Sequence, residues 1–191
     1  MKILQINNCH YRRGGADVVY LNTGELLHRN GNDVIYFSMK NIKNIRDVDE
    51  SLFVNNIDFI NLSFLNKVFN TIRFIYSFEA KNKIKQVVKK YRPDIAHIHL
   101  YKAGLTSSIL SALRNSQIPI VITLHDYGFL DPHAILLDGM GNIDNKTVNK
   151  SAFYSVINKH NRNSYLLSFI EYVEYAFHNY FFPFDKYFDC I

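Results

Sequence analysis

The sequence is poor in the residues that staple, break or anchor a chain. It has only two cysteines, Cys9 and Cys190, in 191 residues. Two thiols define no disulfide framework, and a reducing compartment is the default for such a chain. No apolar run approaches the roughly 20 residues that a membrane-spanning helix needs. The opening run MKILQI is too short for a secretory leader, and polar Asn7 and Asn8 end it. Glycine and proline are scarce, at eight and four, while Lys, Asn and Ile are abundant. An AT-rich genome produces that bias without selection. The formal net charge of +5 is therefore a weak pointer to anionic ligands or an anionic membrane surface, and nucleic acid is not expected as a partner. Together these absences point to a cytoplasmic protein, with peripheral contact at the inner face of a membrane left open.

What is present is enough for a folded core: 48% of residues are apolar and 15% aromatic. The length suits one domain with a helical appendage. Residues 2–7 read as a short buried strand. Ala16, Val19, Thr23, Leu26 and Leu27 follow at helical spacing, with Gly31 at the expected stop. DVIYFS (33–38) is a second strand. SLFVNN and IDFINL (51–62) read as irregular strand and loop. Residues 64–91 read as helix with one break, stopped by Arg92-Pro93. IAHIHL (95–100) is a strand, residues 105–113 a helix, and IPIVITL a strand running into His125. After Tyr127 the pattern changes to a loop with a Gly139/Gly141 turn, then aromatic-rich helices over 151–183 that end at Pro183. Apolar strands alternating with amphipathic helices predict an α/β fold, a Rossmann-like parallel sheet flanked by helices. On the last helices, Leu166, Phe169, Ile170, Val173, Phe177, Tyr180 and Phe181 read first as core, and otherwise as a surface for lipid or a partner domain.

Ligands of open parallel sheets bind beyond the carboxyl ends of the strands. Three polar clusters fall there. The first is Asn7, Asn8, Arg12, Arg13, Gly14 and Gly15. The second is His99, Tyr101, Lys102 and Gly104. The third is His125, Asp126 and Tyr127. Gly14-Gly15 precedes a helix, whose N–H groups can hold a phosphate; a tight turn is the plainer reading. His125 at a strand end can bind a hydroxyl or shuttle a proton. His97 reads as a core residue and His99 as a residue at the mouth.

Two chemistries are disfavoured. The glycine loop lacks the third glycine of a dinucleotide fingerprint, and the second strand ends in Ser38-Met39 with no acid for a ribose. His97-x-His99 with His125 and Asp126 has the look of a metal-dependent hydrolase, but no further acid cluster supports it. No metal site and no cofactor are expected.

The stretches MKILQINNCHYRRGGADVVYLNTGELLHRNGNDVIYFS, IYSFEAKNKI and RPDIAHIHLYKAGLTSSILSALRNSQIPIVITLHDY resemble the N-terminal domain of family 4 glycosyltransferases. The resemblance implies a GT-B architecture of two Rossmann-like domains, a retaining reaction without metal, and a nucleotide-sugar donor. By resemblance, Gly14 and Gly15 approach the donor phosphates and the reacting sugar. His125 contacts the transferred sugar, and Asp126 orients its loop. Arg13, Asp17, His99, Tyr101, Lys102 and Tyr127 are the further candidates for donor or acceptor contact. Acceptors in such families include lipid-linked sugars and growing surface polysaccharides.

The sequence departs from the family in two places. Relatives carry cysteines after the HDY block where this chain has Asp131, Asp144, Thr147, Val156 and His160. The acid after the glycine pair is Asp17 where relatives usually have Glu. The resemblance covers the acceptor-side domain alone, residues 1–191. The expectation is that the C-terminal donor-binding domain is absent and that the 191 residues turn over little unless it is supplied in cis or trans. A non-catalytic partner module, or a truncated relic of the same fold, is the alternative.

Overall fold

A computed structural model describes residues 1–46, 48–57 and 63–191. The reading of IDFINL falls almost wholly on residues 58–62, outside the described residues. The chain divides into two compact units: Met1–Thr123 with Phe184–Ile191, and Leu124–Pro183.

The first unit is built on four parallel strands among the described residues. They are β1 (Lys2–Ile6), β2 (Asp33–Phe37), β3 (Ile95–Ile98) and β4 (Ile120–Ile122), in the order β2-β1-β3-β4. The register stacks apolar residues in rows across the sheet. Ile35, Leu4, Ala96 and Ile120 form one row; Phe37, Ile6, Ile98 and Ile122 form another. All eight are buried, and each of the large side chains stabilises the fold by about 1.5–3 kcal/mol. These eight share one face; on the other, Ile3 and Gln5 are buried and Val34, Tyr36, Ile95 and Val121 half-buried, so the strands read as nearly unbroken apolar runs.

The connections are helical. Helix α1 (Gly15–Arg29) joins β1 to β2 and buries Tyr20 and Leu21. Gly24 lies under the Tyr36 ring, where any Cβ would collide. The turn after α1 places Gly31 at φ +80°, a conformation that favours glycine. Helix α2 (Phe64–Ile75) is capped by the Ser63 hydroxyl and α3 (Phe78–Tyr91) by that of Ser77. The break between them is the one expected within 64–91. Helix α3 buries Ala80, Ile84 and Val87, and Arg92 turns left-handed before Pro93. Helix α4 (Ser108–Asn115) buries Ile109, Leu110 and Leu113.

Two features differ from expectation. Strand β4 stops at Ile122 instead of reaching His125. Its last bond to β3 runs from Thr123 N–H to the Ile98 carbonyl, where β3 itself ends. The apolar run continues past the ladder that would make it strand. The chain also returns at its end. Phe184–Tyr187 forms a short helix, and the segment after it lies beside β4. There the Asp189 carboxylate accepts bonds from the Ile120 N–H at 2.7 Å and from Arg114 at 2.8 Å.

The second unit holds α5 (Lys146–Asn149), α6 (Tyr154–Ile157) and α7 (Tyr165–Phe181). A turn at Asp138–Asn142, with Gly141 at φ +86°, closes a bridge between Leu137 and Ile143. On α7 the buried residues are Ser168, Glu174 and His178, while Leu166, Phe169, Tyr180 and Phe181 are exposed. Four of the seven apolar residues read first as core thus face outward; Ile170, Val173 and Phe177 are half-buried. A unit of this size has little interior to offer them.

His133 Nδ1 lies 2.9 Å from the Glu171 carboxylate, which lifts its pKa above the ordinary imidazole value despite some desolvation. A raised folded-state pKa contributes stability that is fully present below the unfolded value, about 6.5, and is lost as pH rises through the folded one. Glu171→Gln is therefore expected to lower the melting temperature at about pH 6 more than at about pH 8.5. Thermal melts at both pH values check this; an equal loss at both would contradict it.

Candidate functional site

Strand order β2-β1-β3-β4 means that the chain winds one way from β1 to β2 and the other way from β3 to β4. The reversal opens a crevice between the carboxyl ends of β1 and β3, where open α/β sheets bind ligands. Two asparagines at the end of β1 organise this crevice. Buried Asn7 donates from Nδ2 to the Asp17 carboxylate at 2.7 Å and to the Cys9 carbonyl at 2.8 Å. Its Oδ1 accepts the N–H of Leu100, just past β3, at 3.0 Å. Asn8 donates to the Lys102 carbonyl at 2.7 Å and accepts the Leu105 N–H at 3.1 Å. These bonds tie the exit of β1 to the exit of β3.

Asp17 transmits that order to the glycine loop. One carboxylate oxygen is held by Asn7; the other accepts the Gly14 N–H at 3.0 Å. This is half a capping box, because glycine has no side chain to reciprocate. Asp17 is thus the buried brace of the loop and not a group facing a ligand. Gly14 has an extended backbone, and neither Gly14 nor Gly15 has a positive φ. A Cβ on Gly15 would meet nothing within 4 Å. The turn therefore does not require this glycine. The first amides of α1, at Gly15 and Ala16, have no carbonyl one turn earlier in the helix to bond. With the positive end of the helix dipole they form a receiver for an anion. Exposed Arg13 precedes this helix end, its guanidinium 3.9 Å from the Cys9 sulfur, while the Arg12 guanidinium reaches along α1 to the Asn22 side-chain oxygen at 3.4 Å.

The second cluster is more interior than expected. His97 and His99 point to one side of β3, as strand alternation requires, and share Gln5 of β1. Gln5 Nε2 lies 3.1 Å from His97 Nδ1, and Gln5 Oε1 lies 3.2 Å from His99 Nε2. His97 Nε2 lies 2.8 Å from the Thr123 hydroxyl. The expected order is reversed, since His99 is buried and His97 is half-buried. Tyr101 is also buried and packs on Phe188. Lys102 is half-buried, with its carbonyl taken by Asn8. Gly104 fits tightly against Asn8 and Met39, where a Cβ would come within 3 Å of both. Gln5 and Thr123 were not anticipated; the signal for Gln5 is one polar residue inside an apolar strand.

The third cluster opens the second unit. His125 is half-buried and Tyr127 exposed. Asp126 accepts the Gly128 N–H at 2.9 Å, an Asx turn that orders its own loop. Asp131, Asp144 and His160 form a polar knot. His160 is buried, with Nε2 3.2 Å from Asp144 and Nδ1 3.9 Å from Asp131. Burial alone would raise the Asp144 pKa, but bonds from Lys146 N–H, His160 and Asn158 outweigh it and the net shift is downward. Thr147 and Val156 are buried as well. Among the described residues no three His, Cys, Asp or Glu side chains are arranged to hold a metal ion.

The model of the family described as Glycosyltransferase Family 4 matches residues 13–181. The chain belongs to that family. A search of curated proteins finds no match. The family match begins at the glycine loop and runs through α7, so it takes in Arg13, Gly14 and Gly15 of the first cluster and the whole of the second and third. Membership supports a glycosyltransferase-type function.

Asn7→Ala would leave the Leu100 N–H and one Asp17 oxygen without their buried partner. It is expected to cost about 2–3 kcal/mol in urea denaturation, whereas exposed Arg12→Ala should cost less than about 0.5 kcal/mol. Equal losses for the two variants would remove Asn7 from its bracing role.

Proposed function

We propose that this chain is the acceptor-side domain of a retaining glycosyltransferase. It moves a sugar from a nucleotide-sugar to a glycan or lipid-linked acceptor in the synthesis of a surface polysaccharide. The observation that carries this reading is Gly15: an unhindered glycine at a helix N-terminus, beside the sheet's switch point, in a chain of family 4.

In such a transfer the bond from the anomeric carbon to the diphosphate oxygen breaks, and a bond to the acceptor oxygen forms. The acceptor proton leaves with the departing phosphate or through a protein group. Negative charge grows on the leaving diphosphate. Fixed N–H groups at Gly15 and Ala16 stabilise it without having to reorganise, and Arg13 adds a positive charge nearby. A side chain at position 15 would keep the phosphate away from those N–H groups. His125 contacts the transferred sugar, accepting from or donating to a hydroxyl. Asp126 holds the loop that carries it. Tyr127 and Lys102 contribute to acceptor contact. The donor's nucleotide is gripped mainly by a second domain, in cis or in trans, and contact at the inner face of the membrane brings lipid-linked acceptors within reach.

Two substitutions in the complete two-domain enzyme test this. A Cβ at position 15 meets nothing within 4 Å, so Gly15→Leu should leave the melting temperature nearly unchanged while reducing transfer by roughly 100-fold or more. His125→Ala should reduce transfer by about 100-fold, again with the fold intact. The readout is labelled sugar passed to acceptor. Near-normal rates in both stably folded variants would overturn the assignment.

A further inference from the structure

Strand β2 is the outer strand of the described sheet, and its far side is open. The Asp33 N–H bonds to the Met1 carbonyl at 2.9 Å, and the Phe37 carbonyl accepts the Asn7 N–H at 3.2 Å. Asp33 and Phe37 thus turn these backbone groups towards β1. By strand alternation Val34 and Tyr36 turn theirs outward. Among the described residues nothing bonds them there. Just past β2 the same edge is paired: Val54 donates to the Ser38 carbonyl at 3.0 Å and accepts the Lys40 N–H at 2.7 Å. Upstream of Val54 the chain leaves the edge through a turn of 3₁₀ helix at Glu50–Leu52. That wall is tethered elsewhere, since the Asp49 carboxylate accepts from Lys90 at 2.8 Å and from the Tyr91 hydroxyl at 3.1 Å, both at the end of α3. A groove of about 690 Å³ remains between the edge and the wall. Leu21 of α1, Val87 of α3, and Val48 and Leu52 of the wall line it with aliphatic side chains.

An open strand edge is a template for pairing with another extended chain, and natural edges are commonly guarded by lysine or proline. Asp33–Phe37 (DVIYF) contains neither. The outward groups of Val34 and Tyr36, alternately N–H and C=O, repeat at the spacing of a polypeptide backbone. We propose that this groove binds an extended peptide segment of a partner protein, which adds to β2 as a further strand. The segment brings aliphatic side chains to Leu21 and Val87. It also brings a Lys or Arg to Asp33, an exposed residue at the start of the strand whose carboxylate has no partner among the described residues. A second copy of this chain is a poorer occupant. Its own β2 is bordered by the same Glu50–Leu52 wall, so the two edges cannot meet without displacing both walls. A saccharide has no alternation of N–H and C=O to match. The proposal does not rest on the sugar-transfer reading.

The probe is a library of random heptapeptides displayed on phage, panned against residues 1–191; the selected peptide is then synthesised. It should be rich in Val, Ile or Leu with one Lys or Arg. Its titration should shift the Val34 and Tyr36 amides in NMR spectra and protect them from hydrogen exchange. Methylation of the peptide's own backbone nitrogens separates strand addition from side-chain binding. Methyl groups on the alternate nitrogens that face β2 should weaken binding roughly tenfold or more, and those on the intervening nitrogens should change it little. Asp33→Lys, at an exposed position, should keep the circular dichroism spectrum and weaken binding roughly tenfold. Failure to select a peptide, shifts confined to other residues, equal binding by the two methylated series, or full binding by Asp33→Lys would overturn the proposal. So would sedimentation velocity that shows a dimer whose Val34 and Tyr36 amides are protected without peptide, because the edge would then belong to a second copy. No nucleotide-sugar enters these measurements, so failure here leaves the sugar-transfer reading standing, and an inactive enzyme leaves this one standing.

Discussion

A single primary amide ties the first unit's working edge together. Asn7 joins three pieces of chain: the glycine loop through Asp17, the turn at Cys9, and, 93 residues away, the exit of β3 through Leu100. Buried polar groups of this kind are costly unless satisfied, and here the amide's Nδ2 donates two bonds while its Oδ1 accepts a third. The second Asp17 oxygen then fixes Gly14, so the helix end that follows is presented in one orientation. Preorganisation of that sort is what lets backbone N–H groups stabilise charge that appears only during reaction. The orientation of the α1 amides is thus derived from a side chain eight residues upstream.

Much of this was legible in the sequence because periodicity and punctuation agree. The runs at 2–6, 33–37 and 95–98 are apolar, flanked by turn residues, and separated by helical spacing. The break in 64–91 is marked by Ser77, an N-cap. The misreadings have specific causes. IPIVITL is apolar beyond Ile122, but composition cannot reveal where the neighbouring strand runs out. The return of Asp189 to β4 depends on backbone pairing by a segment with no period of its own. His99 was expected at the mouth because it comes last in its strand. Its burial follows from alternation with His97 and from Gln5 on the adjacent strand, a pairing that needs the register. Asp17 is acidic near a glycine loop and so reads as a ligand group; only its two bonds show that it faces inward.

Apolar exposure has two patterns in this protein. On α7 the outward aromatics come with no cation: Glu171 and Glu174 are the only charged residues along Tyr165–Phe181. On α2 and α3 they come with the chain's surplus of cations. The polar knot of Asp131, Asp144 and His160 shows a related economy. Hydrogen bonds from His160 to Asp144 and from the Leu136 N–H to Asp131 order the loop in a unit with a small core.

The account depends on the Gly15 and Ala16 amides being available to an anion while Gly14 is held by Asp17. An amide-resolved NMR titration of the chain with inorganic pyrophosphate measures this directly. Saturable shifts at Gly15 and Ala16, with the Gly14 amide protected from hydrogen exchange before ligand is added, are the predicted result. Shifts confined to other residues, or a Gly14 amide that exchanges as fast as an open loop, would contradict it.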